Sequence, residues 1–185
     1  MTIEEPPRTV LARVTRLRRT RRATDAGAVI RRIDRVLTDG RIFAATKRVP
    51  GGTVLIDASG SMHWSREGLL AVVAAAPAAT VAIYSGHEAR GVLRVVITQG
   101  RIVRPELIRR PAGHGNIIDG PALQWLAKQA EPRIWISDGQ VTGVDDVQTP
   151  ALCAEALALQ LRARITRLDD LDAATRFFTT LRTAA

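Results

Sequence analysis

The sequence predicts an α/β fold, a mainly parallel sheet with helices on both faces in a three-layer, Rossmann-like arrangement. Short continuous apolar runs such as Val54-Leu55-Ile56 and Ile134-Trp135-Ile136 mark strands covered on both sides. From Thr53 onward such runs alternate with segments of helical periodicity, as strand–helix–strand units require. Carboxylates and hydroxyls collect just after the apolar runs, where folds of this class place their ligand sites.

The first fifty residues read differently from the rest, so the chain divides into a basic N-terminal helical extension, 1–50, and a main domain, 51–185. From Thr9, a candidate N-cap, Val10, Leu11, Val14 and Leu17 recur at helical spacing. The intervening positions hold Arg13, Arg16, Arg18, Arg19, Arg21 and Arg22. A second helix is expected from Asp25, burying Val29, Ile30, Ile33, Val36 and Leu37 and stopping at Asp39-Gly40. Ile42 to Val49 suits a short strand or an ordered connection, and Pro50-Gly51-Gly52 punctuates it.

In the main domain, Thr53 to Ile56 is the first strand, and Ser65 to Ala76 is a helix. Thr80 to Ser85 and Gly91 to Thr98 are strands, the latter a candidate antiparallel edge strand turning at Gln99-Gly100 into Arg101 to Arg104. Residues 105–117 read as a loop with one helical turn, and Asp119 to Ala130 as a helix. Arg133 to Ser137 is a buried strand, Pro150 to Arg162 an amphipathic helix, Arg164 to Leu168 a strand, and Asp170 to Leu181 a final helix. Trp125 and Trp135 are assigned to the core, as is Cys153 on the apolar face of its helix.

The formal net charge of +9 is concentrated in the extension. Residues 1–50 hold 13 Lys and Arg against 5 Asp and Glu, whereas residues 51–185 are close to neutral. One cysteine excludes an internal disulfide, and no stretch has the order of a signal peptide or the apolar length of a membrane span. The expectation is a cytoplasmic protein with no membrane partner.

Two strand ends carry the candidate chemistry. The first strand closes in Asp57-Ala58-Ser59-Gly60-Ser61, and a later one in Ser137-Asp138-Gly139. Between them lies the turn Gly113-His114-Gly115-Asn116. Carboxylate and neutral oxygens converging on one sheet edge suit a hard divalent cation. Two carboxylates without a counter-charge would otherwise repel.

The run Val54-Leu55-Ile56-Asp57-Ala58-Ser59-Gly60-Ser61-Met62 resembles the metal-ion-dependent adhesion site (MIDAS) of von Willebrand factor A (vWA) domains. Ile134-Trp135-Ile136-Ser137-Asp138-Gly139 resembles the family's later aspartate motif. Gly115-Asn116-Ile117 stands where the family usually has a threonine, so Asn116 is a departure. The resemblance spans roughly residues 52–170. It implies Mg²⁺ (or Mn²⁺ or Ca²⁺) held by Asp57, Ser59, Ser61, Asn116 and Asp138, with a partner's acidic side chain completing the shell. His63, Trp64 and His114 would rim the site. It further implies a bacterial adapter or assembly subunit, with a MoxR-class AAA+ ATPase as one kind of partner.

A second reading stays open at this stage: a scaffold or nucleic-acid-associated subunit binding polyanions through the Arg-rich helices, its metal site vestigial. Catalysis is not expected. An aspartate phosphatase of the haloacid-dehalogenase kind wants a second aspartate at position 59, where Ser59 stands, and a nearby lysine, whereas only Lys47 and Lys128 exist. No phosphate-binding glycine loop or nucleophilic triad is apparent.

Overall fold

Strands form where the apolar runs predict them, and the longest is longer than its run. The computed structural model describes residues 1–5, 17–24, 30, 33–62, 65–87, 90–109, 119–143 and 147–183. In chain order the strands are β1 (Thr2–Glu4), β2 (Leu17–Thr24), β3 (Phe43–Asp57), β4 (Ala78–His87), β5 (Arg90–Thr98), β6 (Arg101–Ile102), β7 (Arg133–Ile136) and β8 (Ile165–Leu168). The helices are α1 (Arg66–Ala75), α2 (Pro105–Arg109), α3 (Asp119–Ala127), α4 (Pro150–Ala163) and α5 (Leu171–Thr183).

The main sheet runs β1-β5-β4-β3-β7-β8. Pairings β1–β5, β3–β4, β3–β7 and β7–β8 are parallel, while β5 lies antiparallel to β4 and to β6. The antiparallel strand expected at Gly91–Thr98 is therefore present, but β1 lies outside it and takes the edge. Glu4 and Glu5 anchor that addition. Arg94 donates to both Glu4 carboxylate oxygens at 2.9 and 3.1 Å, and the Trp125 indole N–H donates to Glu5 at 2.9 Å.

Alternation along the strands sorts side chains into two apolar layers. Val54, Ile56, Val81, Ile83, Ile134 and Ile136 pack under α1 and α5 with Leu69, Val72, Leu171 and Phe178. Leu55, Ala82, Tyr84, Leu93 and Trp135 pack under α3 and α4 with Leu123, Trp125, Leu126 and Ala156. Trp125 and Trp135 are thus core residues, as expected, while Cys153 is only half-buried against this second layer. Helix starts are capped: Ser65 Oγ accepts from the Gly68 N–H, and Thr149 Oγ1 from the Leu152 N–H.

The described residues of the N-terminal quarter depart from the helical reading. Leu17–Thr24, including Arg18, Arg19, Arg21 and Arg22, is a strand, paired antiparallel with residues 43–50 of β3. Its eight backbone units find partners in a distant segment, and that pairing overrides local helical spacing. Positions 9–16, with Arg13 and Arg16, lie outside the described residues. Of the second expected helix, the described residues Ile33–Arg35 form a 3₁₀ turn and Ile30 bridges to Phe43, while 25–29, with Asp25 and Val29, and 31–32 lie outside the described residues. Its expected core residues Ile30, Ile33, Val36 and Leu37 are exposed, Leu37 at 95%. Asp39 accepts from the Arg35 guanidinium and from the Arg41 N–H, which closes the turn locally.

Pro50-Gly51-Gly52 does not end the strand. β3 runs through it, pairing with β2 before it and with β4 and β7 after it. Gly52 makes the passage possible, with φ at +110° and the space of a Cβ already taken by the Pro132 carbonyl oxygen. Gly52→Ala is expected to destabilise the chain by about 2 kcal/mol or more, since both strain and backbone overlap must be relieved. Gly120→Ala, in open space on α3, is expected to be neutral or stabilising by up to about 1 kcal/mol. Chemical denaturation of the two variants beside the wild type checks the contrast.

Candidate functional site

The site is built where two neighbouring strands of the sheet end and a helix begins. β3 delivers Asp57, β7 is followed by Ser137 and Asp138, and α3 begins with Asp119. Asp57 is only 5% exposed. Its Oδ1 accepts the Ser59 N–H at 2.8 Å, folding the chain back so that Ser59 and Ser61 follow on the same rim. Their hydroxyls lie 3.2 Å apart, and the Ser137 hydroxyl reaches the other Asp57 oxygen at 3.4 Å.

The second aspartate loop is held from its far side. Asp138 Oδ1 accepts the Gln140 N–H at 3.0 Å, and its backbone carbonyl accepts from the Arg167 guanidinium at 2.9 Å. Gly139 has φ at +83°, and a Cβ there would run into that guanidinium. A glycine directly after the aspartate is therefore a geometric requirement of the loop.

Asp57, Ser59, Ser61, Asp119, Asp138, Gln140 and Thr142 line one open cleft of about 20 Å³. That volume suits an ion or one or two waters rather than an organic substrate. The expected ligands Asp57, Ser59, Ser61 and Asp138 are brought together in it. Asn116, His114, His63 and Trp64 lie outside the described residues.

Sequence reading missed the layer behind the cleft. Asp119 is 2% exposed. Its Oδ1 accepts from the Tyr84 hydroxyl at 2.6 Å and its Oδ2 from the Thr142 N–H at 2.8 Å. The Tyr84 oxygen in turn accepts from the Trp135 indole at 3.0 Å. Two signals pointed there: a lone tyrosine within an apolar strand needs a hydroxyl partner, and an aspartate opening a helix sits well at the positive end of its dipole.

The electrostatics are one-sided. Burial is the main cause raising the Asp57 pKa, and the nearby Asp138 adds to it. Burial likewise lifts Asp119 from 3.8 to about 6, with the Tyr84 hydroxyl and the Thr142 N–H opposing and Asp57 and Asp138 reinforcing. The buried Tyr84 phenol is pushed well up, by burial and by both neighbouring aspartates. Among the described residues no ion pair reaches Asp57, Asp119 or Asp138. Nor do three His, Cys, Asp or Glu side chains converge there as a ligand set. The donor set is instead mixed, carboxylates with hydroxyls, and hard oxygens of this kind fit Mg²⁺ or Mn²⁺.

Comparisons with protein-family models, curated proteins and solved structures return no match to this chain. Among the described residues no helix is long and apolar enough to cross a membrane.

A pH dependence follows from Asp119. With its folded pKa above the unfolded value, the folded chain holds the proton more tightly. The contribution to stability is full below about pH 4 and is lost as pH rises through about 6, on the order of 2 kcal/mol in metal-free buffer. Asp119→Asn is expected to flatten the unfolding free energy across this window relative to wild type. Tyr84→Phe, which leaves Asp119 and the Trp135 indole short of a partner, is expected to cost about 1–3 kcal/mol. It should also raise the Asp119 pKa further, readable by carboxyl NMR titration.

Proposed function

We propose that this protein is a binding module whose carboxylate-and-hydroxyl cleft holds a divalent cation, Mg²⁺ or Mn²⁺, and captures an acidic side chain of a protein partner. One observation carries the reading. Asp57 and Asp138 share a cleft with Ser59 and Ser61, and no cationic side chain among the described residues pairs with either aspartate. A cation there offsets the mutual repulsion, leaves the hydroxyls as neutral ligands, and adds attraction for an incoming carboxylate.

In this reading Asp57, Ser59, Ser61 and Asp138 hold the ion, with Asn116, as the resemblance implies, a further oxygen donor. Gly139 and Arg167 keep the Asp138 loop in place. Asp119, tied to Tyr84 and Trp135, fixes the floor of the cleft and adds negative potential without reaching toward solvent. The resemblance of Asp57-x-Ser59-x-Ser61 and Ser137-Asp138-Gly139 to the vWA adhesion site supports capture rather than turnover, as does a cleft too small for an organic substrate. A subunit of a larger assembly, such as one built around a MoxR-class ATPase, suits such a module.

Thermal melting in EDTA, then in millimolar Mg²⁺ or Mn²⁺, tests the site in wild type and Asp57→Ala together. Binding to the folded state alone stabilises by about 2.7 kcal/mol at a hundredfold excess over Kd. The expected result is a rise in Tm confined to wild type. An equal rise in both chains, or none in either, removes the support for the cation site.

A further inference from the structure

Helix α4 covers one side of the sheet, yet both of its faces are apolar. Within Pro150–Ala163 the polar residues are Glu155, Gln160 and Arg162. Leu152, Cys153, Ala156, Leu159 and Ala163 pack inward on the layer that holds Trp125 and Trp135. The opposite face carries Ala151, Ala154, Leu157, Ala158 and Leu161, all exposed, with Leu157 at 56% and Leu161 at 72%. Their spacing at three and four residues makes one continuous stripe. On the other side of the sheet α5 shows the ordinary arrangement, its exposed described positions being Asp172, Arg176, Thr179, Thr180 and Arg182. An outward apolar face on a helix calls for a cover.

Two charges border the stripe. Glu155 and Arg162 are exposed, and among the described residues neither is in an ion pair. Seven residues apart, they lie within about 20° of each other around the helix and about 10 Å apart along it. They share one edge of the stripe and carry opposite signs. That arrangement is complementary to itself. When a second α4 lies antiparallel on the first, with the two-fold axis level with Ala158 and Leu159, Glu155 meets the second copy's Arg162, and symmetry repeats the pair. In the same register Leu157 and Leu161 of the two copies alternate along the seam, and Ala154 and Ala158 allow close approach. A parallel, in-register pair would instead set each charge against its like.

We propose that this chain forms a two-fold dimer through antiparallel α4–α4 pairing, with Leu157 and Leu161 at its centre and Glu155–Arg162 pairs along its edge. The inference is independent of the cation cleft. One helix pair is a small interface, so the expected dimer is weak, with a Kd on the order of 10 μM.

Sedimentation equilibrium of the full chain in EDTA, from about 1 to about 300 μM at low salt, provides the test. The expected result is a rise from the mass of one chain to the mass of two. Leu157→Gln/Leu161→Gln is expected to weaken association at least about thirtyfold, with the Tm of the dilute monomer unchanged because both side chains are exposed in it. Glu155→Arg and Arg162→Glu are each expected to weaken association about fivefold, since each replaces two attractions with two repulsions. An equimolar mixture of these two variants restores opposite signs at both pairs, and is expected to associate within about threefold of wild type. A chain that stays monomeric to the top concentration leaves the stripe to a partner of different sequence and overturns the proposal. Association unmoved by Leu157→Gln/Leu161→Gln, or a mixture no tighter than either charge variant alone, overturns it too. Should the double leucine variant fail to fold, the charge-exchange mixture still decides.

Discussion

Strand β3 is paired on both sides through its second half, and its register with β4 and β7 governs the rest of the molecule. Thr53 to Ile56 lie opposite Thr80 to Ile83 on one side and Arg133 to Ile136 on the other. In that register Val54 and Ile56 enter one apolar layer and Leu55 the other. Asp57 then emerges at the edge, opposite Tyr84, whose carbonyl accepts the Ala58 N–H at 2.9 Å. A slip of one residue would exchange the two layers and move the carboxylate to the wrong face. The site is therefore as well determined as the core.

Charge is segregated along this one strand. At its carboxyl end three aspartates line a cleft backed by apolar side chains, and burial makes the negative charges of Asp57 and Asp119 harder to hold. Elsewhere carboxylates are treated differently: Glu4 has Arg94 and Arg104 beside it, and the Arg94 hydrogen bonds hold its pKa below the usual range. The aspartate cleft has no such relief from the described side chains, and so has electrostatic free energy to gain from a cation. At the amino end of the same strand the surplus is of the opposite sign.

From Thr53 onward the sequence was readable because each strand is a short apolar run and each helix is bounded by its own capping or turn residues. The Gln99-Gly100 turn lies where it was expected, and the helix expected from Ser65 starts there, with Ser65 as its cap. Leu17–Thr24 was misread for one physical reason: Val10, Leu11, Val14 and Leu17 carry a helical period, but at Leu17–Thr24 a long-range pairing with residues 43–50 decides the outcome. Local spacing cannot register partners 19 to 33 positions away. The cleft's front was legible in Asp57, Ser59, Ser61 and Asp138, since those residues sit in contiguous motifs. Its back was not, because Tyr84, Asp119, Trp135 and Thr142 meet only through the tertiary fold.

The outer side of β5 has a consequence for the molecule's behaviour in a crowded solution. Val92, Leu93, Val95, Val96 and Ile97 make it an apolar strand, the kind whose bare edge recruits other chains. Here the edge is closed in sections. β1 covers Val92 to Arg94, β6 covers Ile97 and Thr98, and between them the Val95 carbonyl takes the Arg104 guanidinium while the Val96 carbonyl takes the Val103 N–H. Five residues at the start of the chain thus serve as a guard rail against intermolecular sheet growth. Their loss would expose an aggregation template while leaving the cleft and its loops chemically intact.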